Sequence, residues 1–229
     1  MDKLKVLVLG DGLLGSELVK YTGWGSVSRK QGNFDIDNIA WHLASHNPNV
    51  IINCIANTDT YSKDKETHWH LNCRFVSNLV DYCNRQNIKL VHISTDYVYT
   101  GSVENATEED VPVHCNNWYG YTKLIGDGLV QLQSNNYLVI RCTHKPNPFP
   151  YDSAWINQIG NFDYVTVISN LIVNMVNNEQ TGVINVGSEV KTMHELAKYT
   201  KPFVGKSFAP AHVPHDTSMN ITKMKNTIK

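Results

Sequence analysis

Short apolar runs alternate with amphipathic helical stretches along the first two thirds of the chain. Val6–Leu9 is continuously apolar, as expected of a strand covered on both faces. Residues 13–21 predict a helix, 25–28 a short strand, 38–45 a helix and 50–55 another buried strand. Residues 65–85 hold the strongest helical pattern, with Leu71, Phe75, Val76, Leu79, Val80 and Cys83 on one broad face. A strand at 90–93, a helix from 118 to about 132 and the strand Tyr137–Arg141 continue the alternation. Such alternation predicts a parallel α/β sheet.

The alternation breaks after Arg141. Residues 142–151 contain Pro146, Pro148 and Pro150 and predict a loop. Residues 167–176 predict a helix and 183–186 a strand, and Thr192 with Glu195 has capping-box spacing for a helix ending near 199. From Lys201 the chain is polar and proline-bearing, and predicts an irregular surface lid or arm. No linker divides the chain, so residues 1–229 are expected to form one domain.

Composition narrows the function classes. The 229 residues are 41% hydrophobic and 18% charged, which suits a buried core. A net charge of -1 argues against a nucleic-acid protein driven by phosphate neutralisation. No apolar run reaches membrane-span length, and the N-terminus lacks a signal-peptide pattern, so a cytoplasmic protein away from membranes is expected. Five separated cysteines without a C-x-x-C predict reduced thiols. His68 and His70 stand two apart, on different helix faces, and His212 and His215 lack an evident ligand set. No metal site is expected.

The segment VLVLGDGLLGSEL carries the first candidate chemistry. Gly10, Gly12 and Gly15 form G-x-G-x-x-G between a strand and a helix. That context suits a pyrophosphate against the helix N-terminus, framed by Asp11, Leu13 and Leu14. Ser28 and Arg29 follow the next strand. A hydroxyl and a cation there suit the extra phosphate of NADP; the alternative is a solvated basic pair formed by Arg29 and Lys30.

Tyr119 and Lys123 form Y-x-x-x-K, one turn apart on a predicted helix. An ammonium beside a phenol favours the phenolate and lowers the phenol pKa. The alternative is a surface tyrosine stacked on a lysine stem. Thr95 follows the strand at 90–93, at the end where parallel sheets gather reactive groups.

Together, the glycine turn, HISTDYVYTG and NNWYGYTKLIGDGL resemble the extended short-chain dehydrogenase/reductase superfamily, and within it the dTDP-4-dehydrorhamnose reductase family. FDID at 34–37, IINCIANTD at 51–59, the Asn72 region, GVINVGSEVKTMHELA and DTSMNITKM extend the resemblance over nearly the whole chain. It implies a Rossmann-like doubly wound parallel sheet with a C-terminal substrate lobe. It also implies reduction of the C4 carbonyl of a nucleotide-linked 4-keto-6-deoxy sugar by NADPH, with NADH as the alternative. Tyr119 would donate the proton, Thr95 would polarise the carbonyl, and Lys123 would bind the nicotinamide ribose and tune the tyrosine. Asp35 and Ile36 would flank the adenine, while Cys54, Ile55, Ala56 and Thr58 would line the ribose side. Paired helices of this superfamily build dimers, so fold analogy points to a homodimer.

The chain departs from the family after Arg141. A T-S-W-x-Y segment is expected there, and Cys142-Thr143-His144-Lys145-Pro146 stands instead. The lobe is expected to be reduced, covering about 142–165 and 188–229, with Trp155 as the candidate replacement aromatic. That shortening leaves a second function open, a nucleotide-binding regulatory subunit without turnover. A third is a sugar-nucleotide epimerase or dehydratase. Asp96 matches the first acid of the dehydratase pair, but Tyr97 stands where the second would be.

Overall fold

The computed structural model describes residues 4–31, 39–101, 104–109 and 117–228. Six parallel strands form the central sheet. They are β1 (Val6–Leu9), β2 (Gly25–Val27), β3 (Val50–Asn53), β4 (Lys89–Ser94), β5 (Tyr137–Arg141) and, later in the chain, β10 (Gly182–Asn185). Their spatial order is β10-β5-β4-β3-β1-β2. The predicted doubly wound parallel sheet is therefore present.

Strand alternation divides the core into two layers. Val6 and Val8 face one side, where Leu14 and Leu18 of α1 (Leu13–Thr22) pack with Ile168 and Ile172 of α6 (Val165–Asn177). Leu7 and Leu9 face the other side. There they meet Ile39 of α2 (Ile39–Leu43) and Phe75, Val76 and Leu79 of α4 (Phe75–Gln86), in a cluster that also includes Val130 of α5 (Trp118–Gln133).

The stretch at 65–85 is not one regular helix. It runs as α3 (Lys65–Trp69), a π-helical turn over His70–Arg74, and α4. Asp64 caps its start by accepting from Thr67 N at 3.0 Å. The π turn places the buried Asn72 side chain between two other segments. Its Nδ2 donates to Asn57 O at 3.1 Å and to Thr122 Oγ1 at 3.0 Å, and its Oδ1 accepts from Asn57 N at 2.8 Å. Gly126 explains why α5 tolerates glycine: a Cβ there would lie 2.3 Å from Asn72 O. Close packing of α5 on the π turn thus requires the missing side chain.

Beyond β5 the chain builds a smaller lobe. Its short strands are β6 (His144–Lys145), β7 (Ser153–Trp155), β8 (Ile159–Gly160) and β9 (Asp163–Tyr164), followed by β11 (Lys191–Thr192), β12 (Gly205–Ser207) and β13 (Asp216–Thr217). They pair as β11-β8-β13, β12-β7 and β6-β9. Phe149, Ala154, Phe162, Tyr164, Met193, Leu196 and Val204 form a separate core beneath them. The capping box is present at α7 (Met193–Lys198): Glu195 N donates to Thr192 Oγ1 at 3.0 Å and Thr192 N to Glu195 Oε2 at 2.7 Å.

Two expectations change here. The 142–151 segment carries β6 within the predicted loop. The tail from Lys201 is no irregular surface arm: it supplies β12, β13 and α8 (Thr222–Thr227), and Ile221 and Met224 enter the main core. Burial of those two apolar side chains outweighs the polar character of the surrounding residues.

Candidate active site

A cavity of about 530 Å³ opens at the carboxyl ends of the sheet strands. It lies where the strand order reverses between β1 and β3, the usual cleft of an open α/β sheet. The glycine turn forms one end. Gly10 sits at φ +97°, and a Cβ on Gly15 would lie 2.1 Å from Gly10 O, so the turn closes only with glycine at position 15. Nothing lies within 4 Å of a Cβ built on Gly12. Among the described residues no side chain caps the start of α1 at Gly12, and Gly12, Leu13 and Leu14 line this cavity end.

Asp11, Leu13 and Leu14 line this end with the three glycines. Ser28 and Arg29 also line this end, and the buried Ser28 hydroxyl interacts with the Asp11 carboxylate. Lys30 also pairs with Asp11, Nζ to Oδ2 at 3.2 Å, and this contact lowers the Asp11 pKa. Cys54, Ile55, Ala56 and Thr58 line the adjacent wall. Asp35, Ile36 and Cys115 lie outside the described residues.

Thr95, Tyr119 and Lys123 meet in the middle of the cavity. β4 delivers Thr95, and α5 presents Tyr119 and Lys123. Asn117 caps α5 by accepting from Gly120 N at 2.7 Å. Burial raises the Tyr119 pKa; a hydrogen bond with Thr95 opposes the rise, while Asp96 and Cys142 add to it. The phenol is therefore held protonated. The expected lowering by Lys123 is not seen, because the lysine is turned toward β4. Its Nζ donates to Ile93 O at 2.7 Å and lies 3.4 Å from His92 Nε2.

Lys123 is only 2% exposed. Burial lowers its pKa from 10.5 to about 8, against the opposing carboxylate of Asp127. Between those two values the unfolded chain carries a proton that the native state lacks. Native stability should therefore rise with pH across that window, the cost of the buried ammonium being fully present below it. Denaturant unfolding of wild type and Lys123→Met from pH 7 to about 10.5 reads this effect. The expected result is a stability difference that shifts in favour of wild type as pH rises. A pH-independent difference contradicts it.

Several groups around this centre had no sequence signal. His92 is fully buried, with Nδ1 3.2 Å from Asn53 Nδ2, and burial followed by the charge of Lys123 lowers its pKa well below the usual value. Behind Lys123, Asp127 Oδ2 accepts from Arg141 Nε at 2.9 Å and Ser94 Oγ at 3.1 Å, and Oδ1 accepts from Gln131 Nε2 at 2.7 Å. Arg141 Nη1 donates to Tyr99 Oη at 2.6 Å. Cys54 and Cys142 also face the cavity, and burial raises the Cys54 pKa to about 12, so this thiol is neutral at ordinary pH.

The lobe closes the far side with Gln158, Phe162, Met193 and Thr217, and Thr143, His144 and Lys145 line the join. Trp155 packs against the lobe core and is not among the residues lining the cavity. Among the described residues no group of three or more histidine, cysteine or acidic side chains is placed to hold a metal, and no helix is long and apolar enough to cross a membrane.

Sheet order, switch-point cleft and glycine turn define a Rossmann-like α/β protein. Residues 4–144 match the family described as RmlD substrate binding domain, and the chain belongs to that family. It is similar to the spore coat polysaccharide biosynthesis protein SpsK of Bacillus subtilis, 30% identical over 146 residues, covering 60% of this chain and 52% of that one. It is also similar to methionine adenosyltransferase 2 subunit beta of Rattus norvegicus, 33% identical over 147 residues, covering 57% of this chain and 43% of that one. The matches thus span about half the length of these relatives. Among solved structures, dTDP-4-dehydrorhamnose reductase of Bacillus anthracis in complex with NADP has a TM-score of 0.83 at 20% identity, covering 98% of this chain and 92% of that one.

Proposed function

We propose that this protein is an NAD(P)H-dependent reductase of the C4 carbonyl of a nucleotide-linked 4-keto-6-deoxy sugar. The observation that carries the reading is the convergence of Thr95, Tyr119 and Lys123 in one cavity with the glycine turn. The uncapped start of α1 and the open space over Gly12 fit a dinucleotide. Relatives named dTDP-4-dehydrorhamnose reductase, such as that of Streptomyces griseus at 31% identity, support the substrate class.

When bound, the reduced nicotinamide supplies a hydride. The backbone N–H groups of α1 hold the pyrophosphate, and Arg29 with Ser28 reads the additional phosphate of NADPH. Thr95 Oγ1, which donates to Asp96 Oδ1 in this structure, turns its proton to the carbonyl oxygen and polarises it. Tyr119 Oη transfers its proton to that oxygen as the alcohol forms, and Lys123, which holds Ile93 O in this structure, stabilises the phenolate only on turning from β4 toward it. The raised phenol pKa suits this direction, because a proton donor must begin protonated.

A panel of dTDP-, UDP- and GDP-linked 4-keto sugars, with cofactor oxidation followed optically, tests the reading. Oxidation with at least one member is expected. The similarity to methionine adenosyltransferase 2 subunit beta favours a second reading, a nucleotide-binding regulatory subunit; binding without oxidation across the panel would select it. Arg29→Ala separately tests the phosphate contact: it should weaken NADPH by about tenfold or more and leave NADH nearly unchanged. Equal effects on both cofactors reject that role.

A further inference from the structure

The C-terminal lobe directs three polar side chains into the cavity that the chemistry above leaves unused. Gln158 is 4% exposed, lines the cavity, and has no hydrogen-bond partner for Oε1 among the described residues. His144 lines the same wall, and its buried Nδ1 is also unpartnered among them. Burial, then the neighbouring Lys145, lowers the His144 pKa to about 4, so the ring is neutral and offers one donor and one acceptor. Lys145 is half-buried beside it, without a side-chain hydrogen bond or an ion pair within 4.0 Å among the described residues.

Asp96 is the opposite charge nearest in influence to Lys145, yet its Oδ1 already accepts from the hydroxyls of Thr95 and Thr143. Phe162 and Met193 on the lobe side of the cavity are apolar and give these groups nothing to bond. Buried polar atoms are ordinarily satisfied, and a set left open around one cavity marks a ligand position. His144 and Lys145 also stand shortly after β5, where the family resemblance leads to an aromatic side chain.

The geometry points to a subsite formed by Lys145, His144 and Gln158 that takes an anionic, hydroxyl-bearing part of the substrate. Lys145 Nζ meets the anionic oxygen, while the His144 ring and the Gln158 amide exchange hydrogen bonds with hydroxyls. The subsite rests on the nucleotide-sugar reading and specifies how that substrate is held. In a nucleotide-linked 6-deoxy sugar the diphosphate with its adjoining hydroxyls carries this chemistry; a carboxylate on the sugar is the other source, and its selection would replace the 6-deoxy sugar with a uronate within the nucleotide-sugar reading.

Calorimetric titration at saturating NADP⁺ tests it, with dTDP-glucose, UDP-glucose and UDP-glucuronate added to wild type, Lys145→Met and Gln158→Met. Lys145→Met should weaken sugar-nucleotide binding by about tenfold or more, and Gln158→Met by less, with NADP⁺ affinity unchanged in both. Equal losses for all three ligands assign the diphosphate; a loss confined to UDP-glucuronate assigns the carboxylate. Unchanged sugar-nucleotide affinity in Lys145→Met overturns the subsite alone, as does an equal loss of NADP⁺ affinity. Wild type that binds NADP⁺ but none of the three ligands overturns the nucleotide-sugar reading and the subsite with it.

Discussion

Replacing Tyr119 with phenylalanine is expected to lower turnover by about 100-fold or more while leaving cofactor affinity within a factor of about two. The substitution removes one oxygen and keeps the ring, which stands 6.0 Å from the Tyr97 ring in an edge contact. Packing is thus retained, and the lost group is the proposed proton source. Two neighbouring groups in the cavity are poor substitutes. The Cys54 thiol is held neutral by burial, and the Lys123 ammonium is committed to Ile93 O. Steady-state kinetics with cofactor titration separates the two quantities. Unchanged turnover would remove Tyr119 from the mechanism, and lost cofactor binding would give it a different role.

Asp127→Ala should produce the largest loss of stability, about 3–5 kcal/mol, because it leaves a buried guanidinium without its counter-charge. Asp127 is fully buried and Arg141 is 3% exposed, so solvent cannot replace the carboxylate. The Ser94 hydroxyl and the Gln131 amide lose their acceptor as well. Urea unfolding measures the change, and a loss below about 1 kcal/mol contradicts the assignment. A second readout follows from the electrostatics. The carboxylate of Asp127 raises the pKa of Lys123, so its removal lowers that pKa further and moves the alkaline limit of activity to lower pH.

Much of the sheet was legible because its local signals agree. Val6–Leu9 is apolar on both faces and runs into a glycine spacing that a tight turn requires. Tyr119 and Lys123 were found by a spacing rule that α5 obeys. The π turn was not legible, since one extra residue in a turn leaves the apolar stripe of 65–85 almost unchanged. The pair of Asp127 and Arg141 is 14 residues apart, on a helix and a strand, and no local period connects them. Gln158 and Lys145 belong to short strands and turns whose placement is decided by tertiary packing. The tail departs from its expected irregular form for the same reason: Met219, Ile221 and Met224 are buried by distant elements, and together their spacing fits neither a helix stripe nor a strand.

Asn161 Oδ1 in the lobe accepts from Met219 N at 2.6 Å, and Asn220 N donates to Ala106 O at 2.8 Å. Asn185, at the end of the edge strand β10, donates through Nδ2 to Ala106 O and Asn220 O, each at 3.2 Å. The segment at 219–220 therefore stitches lobe to sheet through hydrogen bonds. A hinge between the two halves would have to break buried hydrogen bonds before it could swing. Lobe and sheet are thereby joined by the same residues at two places, so a substitution at Asn161 or Asn185 should loosen one half from the other.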